Sequence, residues 1–157
     1  MAGGHLEIRS AKSTDALAIS TLIRSVAHFF TLHPEGVGAE AFLETVSPAA
    51  IEDLINAPNF RYLVGSIEGE LAGVAAIRDS AHLYHLFISP VFQRQGMGRL
   101  LWHEAMTDAI RRGNPGTFTV NSTPFAVPVY QSFGFTVAGP KVETKGIAFV
   151  PMTFGQG

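Results

Sequence analysis

Leu86-Phe87-Ile88-Ser89-Pro90-Val91-Phe92-Gln93-Arg94-Gln95-Gly96-Met97-Gly98-Arg99-Leu100-Leu101 is the stretch on which the fold turns. Its apolar start reads as the end of a strand and Pro90 as a corner. From Gly98 to Arg112 the spacing predicts a helix, with Leu101, Ala105, Met106, Ala109 and Ile110 facing inward, Arg111 and Arg112 in the last turn and Gly113 beyond it. A glycine-containing turn is thereby placed at a helix N-terminus. Such a turn permits close approach of a ligand, and the unpaired N–H groups and positive end of the helix dipole favour an anion. The alternative is that the glycines only turn the chain. A nucleotide P-loop would need Gly-Lys-Ser or Gly-Lys-Thr here, and a dinucleotide fold would carry its glycines near the first strand; neither description fits.

Working outward toward the N-terminus, Ala81 to Ser89 reads as a strand. Glu70 to Arg78 and the alternating run Phe60, Tyr62, Val64 precede it, joined through a Glu68-Gly69 turn, so three strands form a meander. Before them, Ser47-Pro48 opens a helix over Ala49 to Asn56, and Ala39 to Val46 is helical. His5 to Ala11 reads as a first strand, followed by a helix capped by Ser13 or Thr14, whose stripe is Ile19, Leu22, Ile23, Val26 and Phe30. Toward the C-terminus come a strand over Thr117 to Asn121 and a short helix carrying Val129 to Phe133, with Pro128 in its first turn. A final strand pair, about Phe135 to Val142 and Ile147 to Phe154, flanks a Glu143 to Gly146 turn.

The chain has 157 residues, 46% apolar and 15% charged, which suits a single compact domain with a large core. A net charge of -2 supplies no broad basic field for nucleic acid or anionic membrane. There is no cysteine, so disulfides, thiolate metal ligands and a covalent intermediate on an enzyme thiol are excluded. No apolar run is long enough to span a bilayer and Met1 to Gly4 has no signal-peptide character, so the expected compartment is the cytoplasm. His82 and His85 alternate along a strand and are expected on opposite faces, and His28 and His33 are poorly aligned on a helix, so no metal site is expected.

With these elements in place, the chain resembles the GCN5-related N-acetyltransferase superfamily. The motif Gln/Arg-x-x-Gly-x-Gly/Ala is met by Gln93, Gly96 and Gly98; Leu86 to Pro90 looks like that family's fourth strand; and Asn121 followed by Val129-Tyr130-Gln131-Ser132-Phe133-Gly134-Phe135 resembles its second block. The resemblance covers His5 to Phe154. It implies an α/β fold with a mixed, mostly antiparallel sheet of about seven strands and helices on both faces. It also implies a V-shaped splay between strands four and five, acetyl-CoA as donor, pantetheine against the backbone of Phe87 and Ile88, pyrophosphate on the amides of Arg94, Gln95, Gly96, Met97, Gly98 and Arg99, and Asn121 on the pantetheine side. The side chain of Met97 is read as packing under the helix.

Acetyl transfer from a thioester needs a neutral nucleophile, stabilisation of the oxyanion and a proton for the departing thiolate. By the resemblance, Tyr130 matches a tyrosine whose phenol can serve the leaving sulfur; it can equally anchor the short helix to the sheet. An alkylammonium with a pKa of about 10.4 must lose a proton first, and a histidine can take it. His82 lies close to the position where some relatives carry a glutamate base; His85 and water remain open as alternatives. His28, Phe29 and His33 border the acceptor site in relatives. The acceptor is expected to be a primary amine of a small molecule or protein, with a non-catalytic acyl-CoA sensor or a plain interaction domain as rival readings. Edge strands at the carboxyl end leave a homodimer plausible.

Overall fold

The computed structural model describes residues 5–27, 32, 38–93, 95–144 and 146–155. Strands β1 (Leu6–Ser10), β2 (Phe60–Ile67), β3 (Glu70–Arg78), β4 (His82–Ile88), β5 (Phe118–Ser122), β6 (Thr136–Val137), β7 (Val142–Thr144) and β8 (Ile147–Phe154) form a mixed sheet in the order β1-β2-β3-β4-β5-β8-β6, with β7 also on β8. Every pairing is antiparallel except β4 with β5. The sheet has eight strands where about seven were expected. The extra one arises because the expected strand over Phe135 to Val142 is broken: Gly139 and Pro140 cannot sustain a ladder, Pro for want of an N–H. Thr136 and Val137 pair with one end of β8 and Val142 to Thr144 with the other, so Glu143 is in a strand and not in a turn.

Helices α1 (Ala16–Ser25), α2 (Glu40–Glu44) and α3 (Pro48–Asn56) precede the meander; α4 (Met97–Arg111) and α5 (Val127–Phe133) flank β5 in sequence. Ile19, Ile23 and Ile51 from α1 and α3 pack with Tyr62, Val64, Val74 and Ala76 on one face of the sheet. Leu101, Trp102, Ala105 and Ala109 of α4 pack with Leu63, Ala75, Ile77 and Leu83 on the other. On α4 the inward stripe takes in Trp102 and Asp108, while Ile110, expected inside, is 45% exposed. Gly73 sets how closely α4 lies on the sheet: a Cβ there would be 2.7 Å from Ile88 Cδ1, 2.8 Å from Leu101 Cδ1 and 2.9 Å from the Phe87 carbonyl.

Local chemistry explains the element ends. The Glu68-Gly69 hairpin has φ of +51° and +82°, as a two-residue type I′ turn requires. Ser47 caps α3 by accepting from the Ala50 N–H, with Pro48 in the first turn. Neither Ser13 nor Thr14 caps the first helix. Instead the Asp15 carboxylate accepts the Lys12 N–H at 2.7 Å and is held by Arg9 at 2.8 and 2.9 Å, which keeps it below the usual carboxylate pKa. The described part of this helix ends at Ser25; Phe30, assigned to its stripe, lies outside the described residues.

Candidate active site

Helix α4 begins at an open turn. Gly96 is its N-cap with φ of +79°, and a Cβ at this residue would meet nothing within 4 Å. A left-handed conformation costs a non-glycine residue roughly 1–2 kcal/mol, so Gly is favoured for the backbone, and the space beside it is left clear. The first hydrogen bond into the helix is from Leu100 N–H to Gly96 C=O at 3.2 Å. Among the described residues, the amides of Gln95, Gly96, Met97, Gly98 and Arg99 have no backbone or side-chain acceptor. These are the orphan donors of a helix start, and a diphosphate is the ligand their charge favours.

The side chains around this turn shape it and do not fill it. Gln93 Nε2 donates to the Ile88 carbonyl at 3.2 Å, tying the turn to the end of β4, and Gln95 Nε2 reaches the Val91 carbonyl at 3.5 Å. Arg99 crosses to α5, donating to Ser132 Oγ at 3.2 Å and to the Ser132 carbonyl at 3.3 Å, with its guanidinium 5.0 Å from the Phe133 ring centre. The part of Arg99 that faces the turn is therefore its amide. Met97 is half-buried. Arg94 lies outside the described residues, as do His28, Phe29 and His33.

Beside the turn the sheet opens. Among the described residues, strands β4 and β5 pair only at His82↔Thr119 and Leu83↔Val120, and from Tyr84 to Ile88 no strand lies along that edge of β4. Backbone N–H and C=O groups on such an edge need partners. Phe87 and Ile88 sit on this edge next to the α4 turn. Asn121 is on β5, one residue beyond the last parallel pair, exposed and with no side-chain hydrogen bond among the described residues. The opening beside β4 leads to the amides at the start of α4.

Tyr130 stands on α5. Pro128 lies in the first turn of that helix and Gly134, with φ of +109°, ends it. Tyr130 is 7% exposed and belongs to the same core cluster as Leu83 and Val120, the last residues to pair before the strands part. Its ring packs edge-on against Phe133 and Phe135 at 5.9 and 5.5 Å. Its hydroxyl has no hydrogen-bond partner among the described residues, and burial pushes its pKa up, so it stays protonated at neutral pH.

The histidines of β4 correct the expectation. Ala76 is opposite His85 and Ile77 is opposite Leu83, so Tyr84 is an extra residue, a β-bulge that resets the alternation. Leu83, Leu86 and Ile88 go to the α4 side, and His85 and Phe87 to the α1 side. His82 is bonded through Nδ1 to Thr119 Oγ1 at 2.7 Å, on the face of β5 opposite to buried Phe118 and Val120. His82 and His85 thus share a face.

Their environments differ. His85 is buried, with Nδ1 2.9 Å from the Tyr62 hydroxyl and rings of Tyr84, Phe87 and Tyr62 around it; burial pulls its pKa down to about 3. His82 is half-buried at the apex, its pKa lowered by desolvation and then by the charge of Arg78, so it is neutral near pH 7. Both rings are neutral near pH 7, and of the two only His82 is partly exposed. Among the described residues no three His, Asp or Glu side chains converge as a metal ion would require. No helix among them is long and apolar enough to cross a membrane. Thr119, Ser132 and the bulge at Tyr84 were not singled out from sequence. The first carries only the signal of a polar side chain on a β-branched strand, and the bulge is visible only in the pairing register.

The family described as an acetyltransferase (GNAT) domain matches residues 30–155. Among solved structures, a PaiA N-acetyltransferase from Thermoplasma acidophilum in complex with coenzyme A is similar with a TM-score of 0.77 and 18% identity, covering 97% of this chain and 99% of that one. A GCN5-related N-acetyltransferase from Rhodopseudomonas palustris gives 0.77 and 17%, with 99% of each chain covered. The ribosomal-protein-S18-alanine N-acetyltransferase of Escherichia coli gives 0.70 and 20%, covering 96% and 93%. At these identities the likeness is one of fold. No curated protein matches the chain.

Proposed function

The chain belongs to the GNAT acetyltransferase family, and from that premise we propose that it moves an acetyl group from acetyl-CoA directly to a primary amine. The observation that carries this reading is that the splayed edge of β4 runs from Leu83 up to the open turn of α4. Beyond Leu83 no parallel neighbour accompanies β4 among the described residues, the turn at its far end presents amides with no acceptor among them, and Tyr130 on α5 keeps its phenol protonated. One of the similar folds is a coenzyme A complex and another belongs to an enzyme of ribosomal-protein-S18 alanine, which supports a CoA donor and an amine acceptor here.

The donor supplies an activated acetyl group and a thiol leaving group. The chain's residues do the rest. The amides of Gln95 to Arg99, and that of Arg94 by the family motif, hold the diphosphate. The open edge at Phe87 and Ile88 aligns the pantetheine, with Asn121 across from it on β5. Tyr130 approaches the apex from the α4 side and donates its phenolic proton to the sulfur. His82 approaches from the other face and accepts the proton that the amine must lose. The absence of cysteine leaves no thiol on the enzyme to carry the acetyl group, so transfer is direct.

An acceptor screen following free-thiol release, over small amines and N-terminal peptides, tests the reading. We expect turnover with at least one amine, and Tyr130→Phe should lower kcat by about 100-fold or more with donor affinity kept. Tight CoA binding without turnover on any amine would make the chain an acyl-CoA sensor. No thermal stabilisation by acetyl-CoA would overturn the reading altogether.

A further inference from the structure

We propose that Thr119 is a positioning residue that fixes the tautomer of His82, holding the proton on Nδ1 so that Nε2 presents its lone pair to the incoming amine. The inference rests on the assignment of His82 as base and deepens it.

The argument begins with the register. His82 and Thr119 are the first of only two residue pairs that join β4 to β5, so their backbones are locked side by side where the sheet starts to part. The Thr119 N–H is itself fixed, donating to the Ala81 carbonyl at 3.0 Å. Both side chains leave the sheet on the same face, and Nδ1 lies 2.7 Å from Oγ1. A neutral imidazole carries one proton on one of two nitrogens, and the hydrogen bond made by one nitrogen decides the state of the other. With Nδ1 occupied by Thr119, only Nε2 is left to reach the opening, and it has no partner among the described residues.

Two arrangements satisfy the 2.7 Å contact. If the Thr119 hydroxyl donated, Nε2 would carry the proton and the ring would offer the amine a donor and no lone pair. If Nδ1–H donates and Oγ1 accepts, Nε2 is free to take a proton. Only the second arrangement also suits the product of the step. Once the amine proton has passed to Nε2, the imidazolium has N–H on both nitrogens, and Oγ1 must then accept from Nδ1. Thr119 as acceptor therefore needs no rearrangement between the two states, while Thr119 as donor would have to turn its hydroxyl over during the transfer.

The groups facing His82 from the neighbouring strands are few. Arg78 is opposite on β3 and pairs with Asp79 at 3.6 Å; Tyr84 follows on β4, its ring 6.5 Å from that of His82 and 5.6 Å from the Arg78 guanidinium. The cation opposes a second positive charge on His82, so an acceptor for Nδ1–H is what supports the imidazolium at this place.

The test uses Thr119→Val, which keeps the β-branched shape of an exposed strand residue, with Thr119→Ser and His82→Ala beside it. Ring-nitrogen NMR of labelled histidine in the free enzyme reads the tautomer without any need for turnover. We expect a protonated Nδ1 and a lone pair on Nε2 for His82, and a loss of that preference in Thr119→Val. With an acceptor from the screen, Thr119→Val should lower kcat about tenfold, and the acidic limb of its pH profile should move to lower pH, because the imidazolium has lost its acceptor. Thr119→Ser should restore both. A proton on Nε2 in the wild type overturns the proposal. So does an unchanged kcat and pH profile in Thr119→Val while His82→Ala loses activity, in which case His82 remains the base. If His82→Ala itself keeps full activity, the base assignment falls and this inference with it.

Discussion

At the C-terminal end of α4 charged and polar groups find partners within the protein; at its N-terminal end the amides find none. Asp108, its side chain 10% exposed, accepts from Arg61 at 3.0 Å and Arg112 at 3.1 Å and lies 3.8 Å from Arg111, while Arg61 also donates to Ser10. Just beyond the helix, the buried Asn114 donates to the Ser80 and Thr117 carbonyls and accepts from two backbone amides. One end of the helix is closed by the chain's own groups, and the amides at the other have no acceptor among the described residues. The difference separates, on a single element, groups satisfied within the fold from groups that, on the proposed function, bind the donor.

The largest way to break this comparison is Asp108→Ala. It strands Arg61 beside a half-buried wall and removes the shared partner of two more arginines. We expect a loss of about 2 kcal/mol in urea unfolding, the scale of hydrogen bonds to a charged group. CoA affinity measured by calorimetry should change less than about twofold, since the site is a helix length away. A collapse of CoA binding in a folded Asp108→Ala protein would show that the two ends are not independent.

The same contrast holds on β4 between sealed His85 and open His82, and pH sharpens it. The pKa of His85 falls from an ordinary value of about 6.5 to about 3 on folding. The unfolded chain therefore binds a proton below pH 6.5 that the folded one refuses. The stability this group leaves intact above pH 6.5 is lost as pH falls toward 3, by a factor of up to about ten in the folding equilibrium per pH unit. The stability deficit of His85→Asn relative to wild type should shrink over that window, because the variant lacks the titrating group. A deficit that stays constant down to pH 4 would mean that His85 is not sealed.

Gly96→Ala is a smaller effect with a more specific reading. The left-handed φ costs alanine about 1 kcal/mol of stability, and that strain is present with or without ligand. Any loss of CoA affinity must then come from the added methyl group standing in the clear space at the turn. We expect about a tenfold rise in Kd for CoA. An unchanged Kd would place the diphosphate elsewhere.

Much of this was legible in sequence for a physical reason. Element order, the α4 turn and the α5 block follow from local periodicity, Gly and Pro, and those signals fix backbone conformation directly. The cap at Ser47 and the Pro128 start of α5 were found the same way. What was not legible depends on neighbours distant in sequence. The bulge at Tyr84 is a mismatch between β3 and β4 and cannot be seen in either strand alone, so His82 and His85 were assigned to opposite faces. Ile110 was read into the α4 stripe, but the buried face is centred on Leu101, Ala105 and Ala109 with Asp108 at its edge, which leaves Ile110 turned outward. Thr119 gains its meaning only from standing next to His82 across a parallel pair.

Ser132→Ala produces the smallest expected change and decides how Arg99 takes part in the open end. The bonds from Arg99 to Ser132 are exposed, and the carbonyl bond survives the substitution, so stability should fall by less than about 0.5 kcal/mol. If the guanidinium matters as a strut between α4 and α5, loosening it should raise the Kd for CoA by about twofold and leave the pH profile alone. If Arg99 is instead held away from the phosphates by Ser132, freeing it should tighten binding, because a mobile cation would gain a diphosphate partner. The sign of a small change in Kd therefore tells whether the open end of α4 binds through backbone amides alone or through a side chain that the apo protein keeps folded against α5.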